Sequence, residues 1–174
     1  EDLYEKIVLL DPTIFSPTII YMWRILSCFK AHPLIKKAKN RRKLFNDFEE
    51  IFNSYRSKNI FSKIADEQLN EYIYSIFKEI GDQVELSYAS AWEEAMYLTA
   101  GIKDFDIWKN LHNLQTPTLI IIPEESPVLR YYASKKILKN KFINIEILKE
   151  STHLFPLEKP EKTAQIILDF FLNN

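Results

Sequence analysis

The chain has 174 residues, 47% of them apolar and 27% charged, with a formal net charge of −1. That length supports one domain with a real core, or a core plus a small helical lobe. The near-zero charge gives no reason to expect nucleic acid or an anionic membrane as partner, and no apolar run approaches the roughly 20 residues of a membrane span.

The opening segment, Glu1-Asp2-Leu3-Tyr4-Glu5-Lys6, is charged, lacks Met and is unlike a secretory signal. The lone Cys28 cannot form an internal disulfide; it is compatible with a reducing compartment, and a cytoplasmic location is the expectation. Lys6-Ile7-Val8-Leu9-Leu10 is a short apolar run stopped by Asp11-Pro12, as expected of a strand buried on both faces of a parallel sheet. From Pro17 to about Gly101 the spacing turns helical. One helix is predicted along Ile19, Ile20, Trp23, Leu26 and Cys28, and a second along Leu44, Phe45, Phe48, Ile51, Phe52 and Tyr55. A third is predicted from Asp66 through Ile80 with Gly81 as its stop, and a fourth from Ser90, where Ser90 and Glu93 have capping-box spacing.

Alternation of strand and helix then returns. Pro117 to Pro123 reads as a second buried strand, Val128 to Leu138 as a helix, and Phe142 to Leu148 as a third strand. A last helix begins at Pro160 and runs along Ala164, Ile167, Leu168 and Phe171. Neither repeats nor a low-complexity linker interrupts this order.

Few residues could carry chemistry. His153 follows the third strand by a short loop, which puts it at the end of the sheet where open α/β folds bind ligands; a lone histidine is more often structural than catalytic. His32 and His112 have no Cys, His or Asp partner at metal-ligand spacing, so a zinc site is not expected. Lys36 to Lys43 is densely basic, and a solvated helix face explains it better than a phosphate site, because no stacking aromatics alternate with it. Tyr21, Trp23, Phe45, Phe48, Tyr55, Trp92 and Tyr97 read mainly as core of the helical lobe, with some of them able to line an apolar pocket.

Four segments together resemble the C-terminal half of the α/β-hydrolase-fold superfamily. Ile7-Val8-Leu9-Leu10-Asp11-Pro12 is similar to its sixth strand and exit, and the helical stretch from Pro17 to about Ala100 to the cap inserted after that strand. Thr116-Pro117-Thr118-Leu119-Ile120-Ile121 is similar to its seventh strand. Ser151-Thr152-His153-Leu154-Phe155-Pro156-Leu157-Glu158-Lys159-Pro160-Glu161 is similar to the loop that carries the general-base histidine. Within the lobe, Arg41-Arg42-Lys43-Leu44-Phe45 and Ala91-Trp92-Glu93-Glu94-Ala95 also resemble a bacterial subgroup.

The resemblance implies an α/β fold: the C-terminal part of a hydrolase sheet, three parallel strands with a helical cap insertion. Residues 1–16 would supply the sixth strand, 17–101 the cap, and 102–174 the remaining core. It implies that His153 is the catalytic base. The acid that fixes the histidine usually follows the seventh strand, but Ser126 stands at that place. Asp11, at the exit of the sixth strand, is the preferred substitute, with Glu124 and Glu125 left open. Hydrolysis of an ester or related acyl bond, with an apolar leaning, is implied, and no cofactor. A nucleophile elbow needs close-packed glycines, whereas the chain has two, Gly81 and Gly101, and neither flanks a serine or aspartate in that pattern. The nucleophile is therefore expected from an N-terminal half outside these residues, and the unpaired sheet edge is expected to favour self-association. The alternative is a non-catalytic interaction module derived from a degenerate hydrolase.

Overall fold

The computed structural model describes residues 4–13, 17–28, 36–38, 40–99, 104–126 and 139–173. In chain order the elements are β1 (Ile7–Leu10), α1 (Pro17–Cys28), β2 (Leu44–Phe45), α2 (Phe48–Arg56), α3 (Asp66–Ile76), β3 (Phe77–Ile80), β4 (Gln83–Leu86), α4 (Ser90–Thr99), α5 (Asp104–Asn110), β5 (Thr118–Pro123), β6 (Ile143–Leu148), α6 (Phe155–Glu158) and α7 (Pro160–Leu172). The expected helix from Val128 to Leu138, His32 and the side chain of Cys28 lie outside the described residues. Two compact units result, Glu1–Tyr21 with Gly101–Asn174, and Met22–Ala100.

The first unit is built on a parallel sheet of order β1-β5-β6. All six residues of β5 are buried, as its central position and continuous apolar sequence require. Alternate β5 side chains feed two cores. Ile120 and Ile122 pack with Ile20 and Leu111 and with Leu9, Ile143 and Ile145. Leu119 and Ile121 pack on the other face with Leu148 and Phe155 and with Val8, Ile166, Ile167 and Phe170. Each fully buried aliphatic side chain here contributes about 1.5–3 kcal/mol. Helix α7 starts at Pro160, whose missing N–H costs nothing in the first turn. Its C-terminal end is held by Lys6, whose Nζ donates to the carbonyls of Phe170, Phe171 and Asn173 at 3.0–3.1 Å, a cation at the negative end of the helix dipole.

The second unit departs from the helices predicted for it. Leu44 and Phe45 form strand β2 rather than a first helical turn, and the helix begins at Phe48. The cause is local: Asp47 caps the helix by accepting the Glu50 N–H at 2.7 Å, and Glu50 reaches back to the Asn46 N–H at 2.8 Å. Phe77 to Ile80 likewise leaves helix α3 and pairs as β3 with β4, so a three-stranded antiparallel sheet of order β2-β4-β3 forms. Gly81, read as a helix stop, instead opens the hairpin turn with φ +58°, the positive φ that tight hairpin turns need. Phe45, Ile51, Tyr55, Phe61, Leu69, Ile73, Phe77, Val84 and Leu86 are buried. Tyr55 lies 4.9 Å from Phe61 and 5.9 Å from Phe77, and Phe45 meets Phe77 edge-on at 5.6 Å, separations at which aromatic pairs add to their burial. Trp92, expected in this core, is instead 73% exposed.

Candidate functional site

Three chain segments leave the parallel sheet at the C-terminal ends of its strands, and each brings one polar side chain to the same place. Asp11 follows β1 directly. Its N–H bonds to the Ile121 carbonyl at 2.8 Å, after which its φ of +39° turns the chain off the sheet. Aspartate is among the few residue types that tolerate this left-handed region. After β5, the Glu124 N–H bonds to the Leu148 carbonyl and the Glu125 N–H to Ser151, so the exit of β5 stays attached to that of β6. After β6, Glu150 turns the chain with φ +52°. Ser151 is then buried, with its hydroxyl on the Leu148 carbonyl at 2.7 Å.

Thr152 and Leu154 hold His153 from either side. The Thr152 N–H donates to Glu158 at 2.8 Å, its hydroxyl donates to the other Glu158 oxygen, and the Leu154 N–H returns to the Thr152 hydroxyl at 3.2 Å. Glu158, the last residue of α6, thus ties that helix back to the loop. Its part was not read from the sequence, where the Thr152 to Glu158 spacing carries no known capping signature.

At the centre, Nδ1 of His153 lies 2.7 Å from Oδ2 of Asp11. The Asp11 side chain is 1% exposed, while that of His153 is 54% exposed. A carboxylate only accepts, so Nδ1 carries the proton and Nε2 is left as the basic nitrogen. The Asp11 hydrogen bond holds the His153 pKa above its ordinary value; burial opposes this in part and the Asp11 charge adds to it. Ser126 also reaches the carboxylate, its hydroxyl 3.1 Å from Oδ1 and 3.2 Å from Oδ2 of Asp11.

The structure therefore brings Asp11 and His153 together. Glu124 instead accepts the Glu150 N–H at 2.9 Å, and Glu125 is exposed. Of the basic run, Arg41 is engaged with Tyr88 at 2.8 Å and Glu93 at 2.9 Å, and Arg42 with Glu50 at 2.6 Å. These arginines serve the second unit's own framework. Glu93, assigned above to a capping box, is Arg41's partner there, and Tyr97 lies 3.4 Å from the same oxygen. Burial pushes the nearby Tyr55 phenol up to about 12. Among the described residues no group of three or more His, Cys, Asp or Glu is arranged to hold a metal, and no helix is long and apolar enough to cross a membrane.

No protein-family model and no curated protein matches the chain. Solved structures do. The peroxisomal α/β-hydrolase Lpx1 of Saccharomyces cerevisiae is similar at 15% identity and TM-score 0.70, over 95% of this chain and 45% of that one. An esterase of M. tuberculosis is similar at 13% identity and TM-score 0.71, over 99% and 56%. An α/β hydrolase of Novosphingobium aromaticivorans follows at 16% and 0.60, over 95% and 56%. The chain has an α/β-hydrolase fold throughout the matched length, and it spans about half the length of these structures.

Proposed function

We propose that this chain supplies the base and acid of an acyl-bond hydrolysis, with His153 as general base and Asp11 as the carboxylate that orients it. The observation that carries the reading is the 2.7 Å contact between Nδ1 of His153, a half-exposed side chain, and the buried Asp11 carboxylate on an α/β-hydrolase sheet. In this reading Nε2 accepts the proton as a hydroxyl or thiol nucleophile attacks the acyl carbon, and returns it to the leaving alkoxide. In the second half Nε2 takes a proton from water as its oxygen attacks the acyl-enzyme, and passes it back to the released nucleophile. Asp11 stays a carboxylate throughout, fixing the tautomer and stabilising the imidazolium.

The nucleophile and the oxyanion donors come, in this reading, from sequence outside the 174 residues. Strand β1 pairs with β5 alone among the described residues, and its other side is where such a segment would extend the sheet. The Met22–Ala100 unit is proposed as the cap, which gives the substrate an apolar lean. The rival reading, a non-catalytic interaction module, is favoured by the lack of any Gly-x-Ser-x-Gly or Gly-x-Asp-x-Gly elbow within the chain. Turnover of short- and medium-chain p-nitrophenyl esters by the product of the full reading frame separates the two. Turnover supports hydrolysis, and a folded product inert toward the whole ester series supports the module.

A further inference from the structure

We infer that Ser126 is a positioning residue that acts on His153 through Asp11: its buried hydroxyl donates to the carboxylate, holds it edge-on to the imidazole and takes up part of its charge. The inference rests on the reading of Asp11 as the partner acid of His153. The Asp11 side chain is almost wholly withdrawn from water, and a buried carboxylate needs donors in place of its lost hydration. Among the described residues, two side chains reach it. His153 approaches Oδ2 at 2.7 Å, and the Ser126 hydroxyl stands 3.1 and 3.2 Å from the two oxygens.

The hydroxyl is held in place independently of the histidine. Ser126 is 6% exposed, its N–H bonds to the Pro123 carbonyl at 3.1 Å, and the two residues before it are tied to Leu148 and Ser151. Its near-equal reach to both oxygens sets the plane of the carboxylate, while the shorter contact on Oδ2 is left to Nδ1. Both distances exceed the roughly 2.5–2.7 Å of a full hydroxyl-to-carboxylate bond, so the one hydrogen is shared and His153 keeps the stronger hold. A donor at this position also keeps a single negative charge beneath the ring, where a second carboxylate would force the two acids to share a proton.

Among the described residues, the other charged groups on these strand exits are engaged elsewhere or exposed. Glu124 accepts from Glu150, Glu158 from Thr152, Lys159 donates to the Lys149 carbonyl, and Glu150 and Glu125 are exposed. Asp11 alone among them contributes to the shift of His153. A change at Ser126 is read at the imidazole through the Asp11 carboxylate that the two residues share.

The test is an NMR titration of the His153 ring in the full chain, for the wild type and for Ser126→Ala, Ser126→Thr and Ser126→Cys. Losing the hydroxyl in Ser126→Ala leaves more charge on the carboxylate facing Nδ1, so the His153 midpoint rises further, by about half a unit. Ser126→Thr keeps the hydroxyl and the wild-type midpoint. Should Ser126→Ala fold poorly, Ser126→Cys fills the same space with a weaker donor and shifts the midpoint the same way by less. A midpoint unchanged or lowered in the variants lacking the hydroxyl, or moved as far by Ser126→Thr, overturns the assignment. Because the readout is the imidazole itself, the result stands whatever ester turnover shows. If turnover depends on His153 while the midpoint ignores Ser126, the Ser126 assignment alone falls.

Discussion

Nδ1 of His153 and Oδ2 of Asp11 meet at 2.7 Å across 142 residues of sequence. The contact depends on both strands leaving the same end of one parallel sheet. Strand β1 delivers the carboxylate through a left-handed residue, and β6 delivers the imidazole through a second one, Glu150. Replacing Asp11 by Asn keeps the volume and the tolerance of positive φ but presents either an uncharged acceptor or a donor to Nδ1. The expected result is a loss of ester turnover of about 10³–10⁴-fold, as when the acid of such a triad is neutralised, with the thermal midpoint near that of the wild type. Steady-state kinetics on the full-reading-frame product, alongside circular dichroism melts, checks both.

The pH dependence follows from the same bond. The Asp11 hydrogen bond raises the His153 pKa above its ordinary value of about 6.5. A general base works unprotonated, so turnover should rise with pH through a midpoint above 6.5 and level off beyond it. Stability runs the opposite way. The contribution of the protonated histidine is complete below its unfolded pKa and fades as pH climbs through the raised folded value. Half-exposure of the ring keeps that contribution small. Titrating the ring by NMR should give the kinetic midpoint, and in Asp11→Asn the value should fall back toward 6.5.

Glu158 is expected to matter for the loop more than for the sheet. Both its oxygens are taken up by Thr152, the residue before His153. Glu158→Leu leaves a part-buried N–H and hydroxyl without their acceptor, at a cost of roughly 1.5–3 kcal/mol for bonds to a charged group. Urea denaturation measures this. Hydrogen exchange should show the loss of protection confined to the Thr152 amide and its neighbours.

Gly81 separates backbone strain from steric crowding. A Cβ placed there meets nothing within 4 Å, yet φ is +58°. Gly81→Val is therefore expected to destabilise by about 1–2 kcal/mol through the left-handed backbone alone, and Gly81→Asn by much less. Urea unfolding of the two variants side by side tests the distinction.

The strands of the parallel sheet were legible because each is a compact apolar run with its own stop. Lys6 to Leu10 ends at Asp11-Pro12, and Thr118 to Pro123 begins after Pro117. The position of His153 was legible from a strand, a short loop and the proline that starts α7. The acid was narrowed only to Asp11, Glu124 or Glu125, since no local pattern encodes where three separate strand exits point their side chains. Ser126 was noticed for the carboxylate it lacks, and its role as a donor appeared only with the distances. In the second unit, Leu44, Phe45, Phe77 and Ile80 fit helical spacing as well as they fit a short strand. What decides for strand is the cross-strand pairing with Gln83 to Leu86 of β4, a tertiary contact. The Asp47 and Glu50 cap was a local signal for the later start of α2, overlooked within a longer apolar periodicity.

The central claim is that His153 carries the proton of an acyl transfer, and chemical rescue tests it most directly. The measurement is p-nitrophenyl ester turnover by the full-reading-frame His153→Ala protein, with and without added imidazole. The account predicts a fall of at least about 10³-fold, with partial recovery as imidazole fills the space above Asp11. Turnover by His153→Ala at the wild-type rate would contradict it.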